Sequence, residues 1–427
     1  MNKKQILLIL IVITACLFIG NWVYGNVLAN KIQEQLEQQL ELAIGDVDVE
    51  FEKVVINPLF SKVELIGLEI RTINGQELLL GSSQVKLAMP YSEAMRLLKT
   101  DDFEHIKSFN VQLFDLSLNV IGADDNLLVD DLSIQFRGHI SKQDIEVLNT
   151  QFPDKKQAVK IKAKHLRFAN TPWMDALGFT KEQIQRFNKV DNLFMDLEFD
   201  PKKNRIVLDD LHMHSPIVSY VSKGQMTYDG EGLDNFSIKQ AASSLELKLN
   251  DKGLQWGNKE SNGLYSLDNL YVKMDGVMNH KGAEPVIQSH TTKFLVENLT
   301  VEYAGEKKQQ MEQQAALLGL KMDKLMLQRL ALNSELKNNE LYITDTEIKS
   351  SLLDAQLKAK INVNALQHEL SQIEKGTLVI SNLAPGLKNA LSTFELMTMQ
   401  SLPRKGNSIV LEMSGNITRP NIKGLRY

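Results

Sequence analysis

The chain has 427 residues, of which 43% are hydrophobic and 24% charged, so most of it is expected to fold, either as two or three ordinary domains or as one elongated body. A formal net charge of −5 excludes the strongly basic surface that nucleic-acid binding requires. The single cysteine, Cys16, excludes disulfide bonds and any zinc site built from several thiolates.

An apolar stretch from Ile6 to Tyr24 follows two lysines at the N-terminus. About 19 residues at ~1.5 Å each span the ~30 Å hydrocarbon core of a bilayer, and Trp22 lies where interfacial aromatic residues are common. We therefore predict that residues 1–26 form a cytoplasmic tail and an uncleaved transmembrane anchor, with the remaining chain on the far side of the membrane. Two alternatives stay open, a cleaved signal peptide and a lipoprotein signal that ends at Cys16.

An amphipathic pattern follows the anchor. Leu28, Ile32, Leu36 and Leu40 recur every four residues with Gln and Glu between them, and Gly45 ends the pattern. This spacing predicts a connector helix over residues 27–45. Its narrow apolar stripe could pack on the body of the protein or on a partner helix.

From Val47 onward the period of the apolar residues changes to two, which predicts β-strands. We divide this region into a β-rich body over 46–303, a connector helix over 304–320 and a C-terminal β-rich part over 321–427 that continues the sheet. Slips in the alternation at Ile66-Gly67 and just before Leu116 predict β-bulges. Predicted strands include 132–136, 159–168, 193–199, 206–213, 245–249, 270–274, 294–301, 325–332, 341–348, 353–363 and 409–413.

Alternate residues of these strands differ in character. From Leu353 to Ile361 the odd positions are apolar and the even positions are polar, as in an antiparallel sheet with one covered face. Helices are few and short: residues 91–99, residues 180–187 with Thr180 as the cap, residues 306–320 and a segment after Pro385. The predicted fold is therefore mostly β, a transmembrane helix followed by an elongated antiparallel sheet with a few short helices. A sheet with one apolar face must curl on itself, pair with another sheet or hold an apolar ligand.

A short phrase recurs at irregular intervals: DDLSIQF at 130–136, DNLFMDL at 191–197, DDLHMHS at 209–215, DNLYVKM at 268–274 and ENLTVEY at 297–303. Asp and Asn favour turns because their side chains hydrogen-bond to nearby backbone. We interpret each phrase as a turn followed by the start of a strand. The unequal spacing argues against a solenoid of fixed period.

No sequence motif for nucleotide, metal or acyl chemistry is present. His212 and His214 would share one face of a strand and could bind a metal ion, but the sequence shows no nearby third ligand, so we interpret them as solvated side chains. The acidic pairs beginning at Asp130 and Asp209 fall at predicted turns. We therefore expect no catalytic residues, no cofactor and no metal site.

Four stretches together resemble the AsmA-like proteins of bacterial envelopes: FEKVVINPLFSKVELIGLEI at 51–70, NGQELLLGSSQVKLAMP at 74–90, the strand–turn–strand phrase at 327–363 and GNITRPNIKG at 415–424. In the third stretch, Ala355 and Ala359 stand where family members often have glycine. The segment KIQEQLEQQLE is more loosely similar to the YdgA-like family.

This resemblance implies a single-pass inner-membrane protein with its body in the periplasm, whose curled sheet handles phospholipid without catalysis. Its partners would be the inner membrane through residues 6–24, phospholipid, and other envelope proteins. The alternative is an anchored structural or assembly factor whose closed β-rich body binds proteins. The residues expected to line a lipid groove are Val63, Leu65, Leu68, Ile70, Val85, Leu87, Leu245, Leu247, Leu270, Val272, Met274, Leu353, Leu357 and Ile361.

Overall fold

The structure is a computed structural model. It describes residues 25, 29, 47–57, 60–72, 77–90, 92–93, 106–119, 126–140, 155–168, 179–230, 237–258, 263–281, 284–317, 324–364 and 367–425. The chain divides into two compact units, the first comprising residues 1–170, 188–206 and 230–235 and the second residues 171–187, 207–229 and 236–427. The predicted anchor over residues 1–26 lies outside the described residues except for residue 25, and of the connector helix over 27–45 only residue 29 is described.

The first unit is built from antiparallel strands that follow one another in the sheet. Both β1 and β2 pair with β3, and the order then continues from β3 to β8. The strands are β1 (Val47–Glu50), β2 (Lys53–Asn57), β3 (Lys62–Thr72), β4 (Leu78–Ala88), β5 (Ile106–Asn119), β6 (Asn126–Ile140), β7 (Gln157–Phe168) and β8 (Lys189–Asp200).

Apolar side chains from one face of these strands form the core of the first unit. One cluster includes Val49, Phe51 and Val54, and it also contains Ala29, a helical residue that is only 5% exposed. A second cluster is centred on Leu116, Val129 and Ala163. The period-two alternation of the sequence therefore concentrates the apolar residues on one side of the sheet, as predicted.

The alternation of side chains reverses at the same level in all of these strands. In β3, for example, Val63 and Leu65 share the apolar cluster with Leu68 and Ile70, although the numbering changes from odd to even. The pairing registers place the reversals next to one another, and we call this line the reversal row: Glu52, Gly67, Ser83, Asp115, Asp130, His165 and Asp191.

Every second residue of the reversal row between β3 and β7 has a left-handed backbone. The φ angles are 67° at Gly67, 50° at Asp115 and 50° at His165. A single left-handed residue turns the following side chains to the other face of a strand, and Gly and Asp accept this conformation more readily than most residues. The reversal therefore keeps apolar side chains on one face along the whole length of each strand.

The predicted β-bulges are wrong at both positions. Next to Gly67 the register of β3 with β4 is unchanged, since Ile66 pairs with Gln84 and Leu68 with Ser82. The pairing of β5 with β6 likewise keeps its register across the slip before Leu116. Real register shifts lie elsewhere, for example between residues 70 and 71. In a sequence, a reversal and a bulge produce the same slip.

The second unit contains a longer series of antiparallel strands. The pairing order is β9, β10, β11, β14, β15, β16, β17, β18, β19 and β21, while β12 and β13 form a hairpin beside β15. The strands are β9 (Arg205–His214), β10 (Val218–Asp229), β11 (Ser237–Leu249), β12 (Leu254–Asn258), β13 (Gly263–Leu267), β14 (Asn269–Lys281), β15 (Glu284–Glu302), β16 (Lys324–Lys337), β17 (Glu340–Ser350), β18 (Asp354–Asn362), β19 (Gln372–Ser381), β20 (Arg404–Lys405), β21 (Ser408–Asn416) and β22 (Asn421–Ile422).

The recurring acidic phrases lie mainly inside strands, so their interpretation as turns before strands is wrong. Asp130 and Asp191 belong to the reversal row, and Asp209 lies within β9. In the second unit Asn298 lies in the middle of β15 with a φ of 52°, and its Nδ2 donates a hydrogen bond of 2.8 Å to Asp268. Only the phrase at 268–270 begins a strand, and there β13 and β14 keep one register along β15.

Three helices are described in the second unit: α1 (Lys181–Phe187), α2 (Gly305–Leu317) and α3 (Pro385–Thr398). Thr180 caps α1 as predicted, because its hydroxyl accepts a hydrogen bond from the backbone N–H of Gln183, whose side chain accepts one from the Thr180 N–H. Of the predicted helix over residues 91–99, only residues 92 and 93 are described, and both are helical.

The mostly-β, antiparallel fold is confirmed. In the described part of each unit, the strands at the two ends of the sheet do not pair with each other, so the sheet is open. It is also not strongly curled, which corrects the curled sheet that the resemblance implies. Alternation determines which face is apolar but not how far a sheet bends. None of the described helices is long and apolar enough to cross a membrane.

Candidate functional site

In the first unit, apolar side chains on neighbouring strands line up across the sheet. Val63 of β3 lies opposite Leu87 of β4, and Leu65 lies opposite Val85. The lines continue to β8, because side chains that are directly opposite in an antiparallel pair share a face. The two lines are Val63, Leu87, Val111, Ile134, Ile161 and Met195, and Leu65, Val85, Leu113, Leu132, Ala163 and Leu193.

The apolar face of the first unit continues on the other side of the reversal row. Ile70 lies opposite Leu80, and Leu116 lies opposite Val129. Both sides of the row belong to the same clusters, since Leu65, Ile70 and Leu80 pack against one cluster of buried residues, and the cluster of Leu116 has members on both sides of the row. Each strand therefore contributes to one uninterrupted apolar surface.

In the second unit, three lines of residues cross the sheet from β11 to β21. The pairings are continuous from strand to strand, and most members are aliphatic or aromatic. The line through Leu247 and Val272 continues as Phe294, Leu332, Thr346, Leu357, Leu378 and Leu411; the line through Leu270 continues as Val296, Leu330, Ile348, Ala355, Ile380 and Ile409; the line through Leu245 and Met274 continues as Thr292, Ser334, Ile343, Ala359, Gly376 and Met413.

The predicted groove residues are buried or half-buried, and none is exposed. Leu68, Val85 and Ile361 are buried, and the half-buried ones are Val63, Leu65, Ile70, Leu87, Leu245, Leu247, Leu270, Val272, Met274, Leu353 and Leu357. The structure brings them together as two groups, one in each unit. Their cross-strand partners, for example Phe294 and Leu378, were not predicted as groove residues. Alternation predicts the face on which a residue lies but not its neighbour on the next strand.

Leu353 is the exception among the groove candidates in the second unit. It lies in the turn between β17 and β18 rather than in a strand. Its carbonyl oxygen accepts hydrogen bonds from the backbone N–H of Ser350 at 3.0 Å and from the Ser350 hydroxyl at 2.8 Å. The alternation from 353 to 361 extended the predicted strand past its real start, so the placement of Leu353 on the strand face is wrong.

A cavity of about 280 Å³ lies at one end of the apolar face in the first unit. Its walls include Met89 and the rings of Phe109 and Phe136, whose centroids are 5.2 Å apart in a stacked arrangement. Among the described residues of the lining, Arg137 is the one cation. The combination of stacked rings and a single cation is suited to an apolar chain with an anionic end.

A larger furrow in the second unit has a different character. Its volume is about 490 Å³, and its lining includes Lys223, Ser244, Asp275 and Gly276. These residues belong mostly to the face opposite the apolar lines, because Ser244 and Asp275 alternate with Leu245 and Met274. None of the predicted groove residues lines this furrow.

The face opposite the apolar lines is held by ion pairs between neighbouring strands. In the second unit Arg329 contacts Glu297 at 2.5 Å and Glu347 at 2.9 Å. The Lys360 ammonium contacts Glu374 at 2.6 Å and Glu340 at 3.1 Å, and these two carboxylates raise its pKa above the ordinary value. Charged cross-strand pairs of this kind mark the solvated side of a one-sided sheet.

The two histidines considered as metal ligands have separate partners. His212 contacts Asp210 at 2.5 Å, whereas the Nδ1 of His214 lies 2.9 Å from the hydroxyl of Ser219. Within the described ranges, no three His, Cys, Asp or Glu side chains converge in a way that could hold a metal ion.

The reversal row contains one carboxylate with a shifted pKa. Partial burial raises the pKa of Asp130, but hydrogen bonds and charges from Arg167, at 2.6 Å, and His165, at 3.0 Å, outweigh this effect and hold the pKa below its ordinary value of 3.8. A carboxylate with a lowered pKa stabilises the fold above its unfolded pKa, and this contribution is lost as the pH falls through the folded pKa.

We therefore expect Asp130→Asn to lower the free energy of unfolding at pH 7 and to have a smaller effect near pH 3, below the ordinary pKa of the carboxyl. The loss should be less than about 1 kcal/mol, because the Asp130 side chain is 41% exposed. The measurement is the urea midpoint of the full chain at both pH values. In the Arg167→Gln background the effect of Asp130→Asn should be smaller, and an undiminished effect would show that the ion pair is not its source.

No protein-family model, no curated protein and no solved structure matches the chain. The fold and the candidate site together define an open antiparallel β-sheet protein with one long apolar face in each unit. The AsmA-like resemblance stays a prediction that rests on its four stretches. The first of these stretches contains β2 and most of β3, which form an antiparallel pair.

Proposed function

We propose that the chain is a non-catalytic envelope protein of the AsmA-like kind, anchored in the inner membrane through residues 6–24, whose apolar sheet face in the periplasm handles phospholipid. The observation that carries this proposal is the set of apolar lines across the sheet of the second unit, such as the line from Leu247 through Val272 and Phe294 to Leu411. The apolar stretch from Ile6 to Tyr24 in the sequence and the AsmA-like resemblance support it independently.

The dimensions of these lines suit an acyl chain. A line that crosses eight strands at a spacing of ~4.8 Å is about 34 Å long. The ~30 Å hydrocarbon core of a bilayer is spanned by two acyl chains end to end, so one acyl chain fits within the length of the line. The backbone polar groups along the line are satisfied by the pairing of the strands, so an apolar ligand would meet side chains alone. Each methylene that such a ligand removes from water contributes about 0.8 kcal/mol.

The half-burial of the lines also supports a ligand. Continuous apolar surfaces of more than a few hundred Å² are rare on the exterior of monomeric soluble proteins and commonly mark binding sites. Val272, Phe294 and Leu357 are shielded by their neighbours within the sheet but are not fully buried. Phospholipid would complete their removal from water.

Photocrosslinking in living cells tests this proposal with two matched positions. Phe294 lies on the apolar lines, whereas Tyr271 lies on the opposite face, and both are half-buried aromatic residues. We expect p-benzoylphenylalanine at position 294 of the full chain to crosslink to phospholipid, detected by mass spectrometry of the purified adduct, and the same residue at position 271 not to do so.

Two results would count against lipid handling. Crosslinks from position 294 to proteins without any lipid adduct would favour the assembly-factor alternative. Equal lipid labelling at both positions would show that the contact is not specific to the apolar face. Detection of the full chain in the soluble fraction of cells would separately contradict the anchor.

A further inference from the structure

The C-terminal end of α3 and the residue after it carry the three most exposed large apolar side chains of the described residues, with Phe394 beside them. Phe394 is 53% exposed, Leu396 79%, Met397 81% and Met399 94%. In the first half of the helix, by contrast, Gly386 is buried and Leu387 and Leu391 are half-buried. We call residues 394–399 the apolar helix end.

The apolar helix end is apolar on several sides rather than on one. At 100° per residue, Phe394 and Met397 lie on one side of α3 and Leu396 lies on the opposite side, while Met399 follows the helix as its left-handed cap residue, with a φ of 51°. A groove on a partner protein normally receives one stripe of a helix, with apolar residues three and four positions apart. A segment that is apolar on several sides is better suited to a medium that surrounds it.

The polar side chains in and next to this segment are satisfied within the chain. The hydroxyls of Ser392, Thr393 and Thr398 each donate to the backbone carbonyl four residues earlier, at 2.8 to 3.0 Å. The only carboxylate, Glu395, is turned inward, where it accepts hydrogen bonds from the Leu402 N–H and from Arg404. Internal satisfaction of this kind lowers the cost of leaving water for a lipid environment.

The charges around the apolar helix end are positive. Residues 382–411 contain three cations, Lys388, Arg404 and Lys405, and one carboxylate, Glu395, hence a net charge of +2 in a chain whose net charge is −5. Arg404 contacts Glu395 at 2.7 Å, and Lys388 and Lys405 are exposed. Exposed cations beside an apolar segment complement the headgroups of anionic lipids.

We propose that the apolar helix end of α3 inserts into the interfacial region of an anionic phospholipid bilayer. It would be a second membrane contact of the chain, distinct from the predicted anchor. The proposal does not depend on the apolar sheet face, since it concerns a peripheral contact with a bilayer surface and involves none of the groove residues.

A fluorescent label at the helix end tests the proposal in the full chain. Cys16 is the only cysteine, so Cys16→Ser allows one environment-sensitive probe to be placed at Met397→Cys or, as a control on the same helix, at exposed Asn389→Cys. The labelled chain is reconstituted in phosphatidylcholine nanodiscs and mixed with vesicles of phosphatidylglycerol and phosphatidylcholine. In this first arm the nitroxide-labelled lipid is in the vesicles. In a second arm it is in the nanodiscs that hold the chain, and these nanodiscs then contain phosphatidylglycerol.

We expect the probe at 397 to shift to the blue and to be quenched by nitroxide lipid in at least one arm, with little quenching at 389 and none in phosphatidylcholine alone. The arm that quenches tells whether the bilayer is the one that holds the anchor or a facing one. Lys388→Gln and Lys405→Gln should each weaken the binding of the apolar helix end to the bilayer, in the arm where quenching occurs, by about fivefold.

Two outcomes would overturn the proposal. Absence of quenching at 397 in both arms would exclude insertion. A blue shift that grows with protein concentration and is not quenched by nitroxide lipid would assign the helix end to contacts between copies of the chain. Neither outcome would affect the lipid-crosslinking test at Phe294, so failure of one proposal can be told from failure of the other.

Discussion

Gly257→Ala is expected to cost about 2–5 kcal/mol of the free energy of unfolding, from backbone strain and overpacking together. Gly257 lies in β12 with a φ of 97°, which residues other than glycine rarely adopt. A Cβ at this position would lie 2.3 Å from the carbonyl oxygen of Gly263 and 3.0 Å from the ring of Tyr265. The hairpin of β12 and β13 would have to move away from its present pairing.

Tryptophan fluorescence reports on this change directly. Trp256 precedes the substituted residue and stacks on Tyr265, with ring centroids 5.5 Å apart, and on Phe179 at 6.3 Å. We therefore expect a lower urea midpoint together with a red-shifted native emission spectrum. The other two tryptophans of the chain are not substituted, so their emission serves as an internal reference.

Gly406→Ala is the matched control for Gly257→Ala. Gly406 also has a positive φ, 63°, but no heavy atom lies within 4 Å of the position of its added Cβ. Only the left-handed backbone opposes this substitution, at a cost of about 1 kcal/mol. If both variants lost the same stability, the close approach of the Gly257 and Gly263 backbones would not be the cause.

Leu116→Ala should cost about 3 kcal/mol, within the range of roughly 2–5 kcal/mol for deletion of a buried leucine side chain. Leu116 is 2% exposed and lies in a cluster with Val129 and Ala163, next to the reversal row. Alanine would leave a cavity, because a sheet held by pairing on both sides of β5 can collapse only slightly. The measurement is the urea midpoint of the full chain, with unfolding monitored by the circular dichroism signal of the β-sheet.

Leu128→Ala separates this packing effect from the intrinsic preference of leucine for strands. Leu128 is 36% exposed and lies in β6, next to Val129 and on the opposite face. We expect a loss of less than about 1 kcal/mol. A loss at Leu128 as large as that at Leu116 would mean that the face carrying Leu128 is the one covered by other parts of the chain.

The sequence predicted the strands well because alternation with period two is a local signal that pairing preserves. It predicted the wrong structure for the acidic phrases, since Asp, Asn and Gly favour both turns and left-handed residues inside strands. Asp115 and Asn298 are examples, both with positive φ in the middle of a strand. A one-dimensional pattern cannot separate a turn from a reversal, because the distinction depends on what the neighbouring strand does at the same level.

For the candidate site, the sequence likewise predicted the face on which a residue lies but not its neighbours on the adjacent strands. Val272 and Met274 were assigned to one face correctly, but their opposite residues, Phe294 and Thr292, depend on the lengths of the hairpins between the strands. The apolar helix end was missed for another reason. Residues from 385 onward predicted a helix, and apolar residues in a helix are usually taken to face a core.

The reversal row has a consequence for how such a sheet can change in evolution. A single deletion at His165 would restore plain alternation in β7 and keep Leu166 on the apolar face, but it would shift the rest of the strand by one residue against β6 and β8. Leu166 would then lie opposite Asp130 and Asp191 instead of Val129 and Val190. Insertions and deletions in the strands of the first unit are therefore coupled between neighbours, whereas the loops that join the strands are free to vary. A lasting change of strand length in this sheet would therefore have to involve the whole reversal row. A new strand would have to be gained as a hairpin that already contains its own reversal.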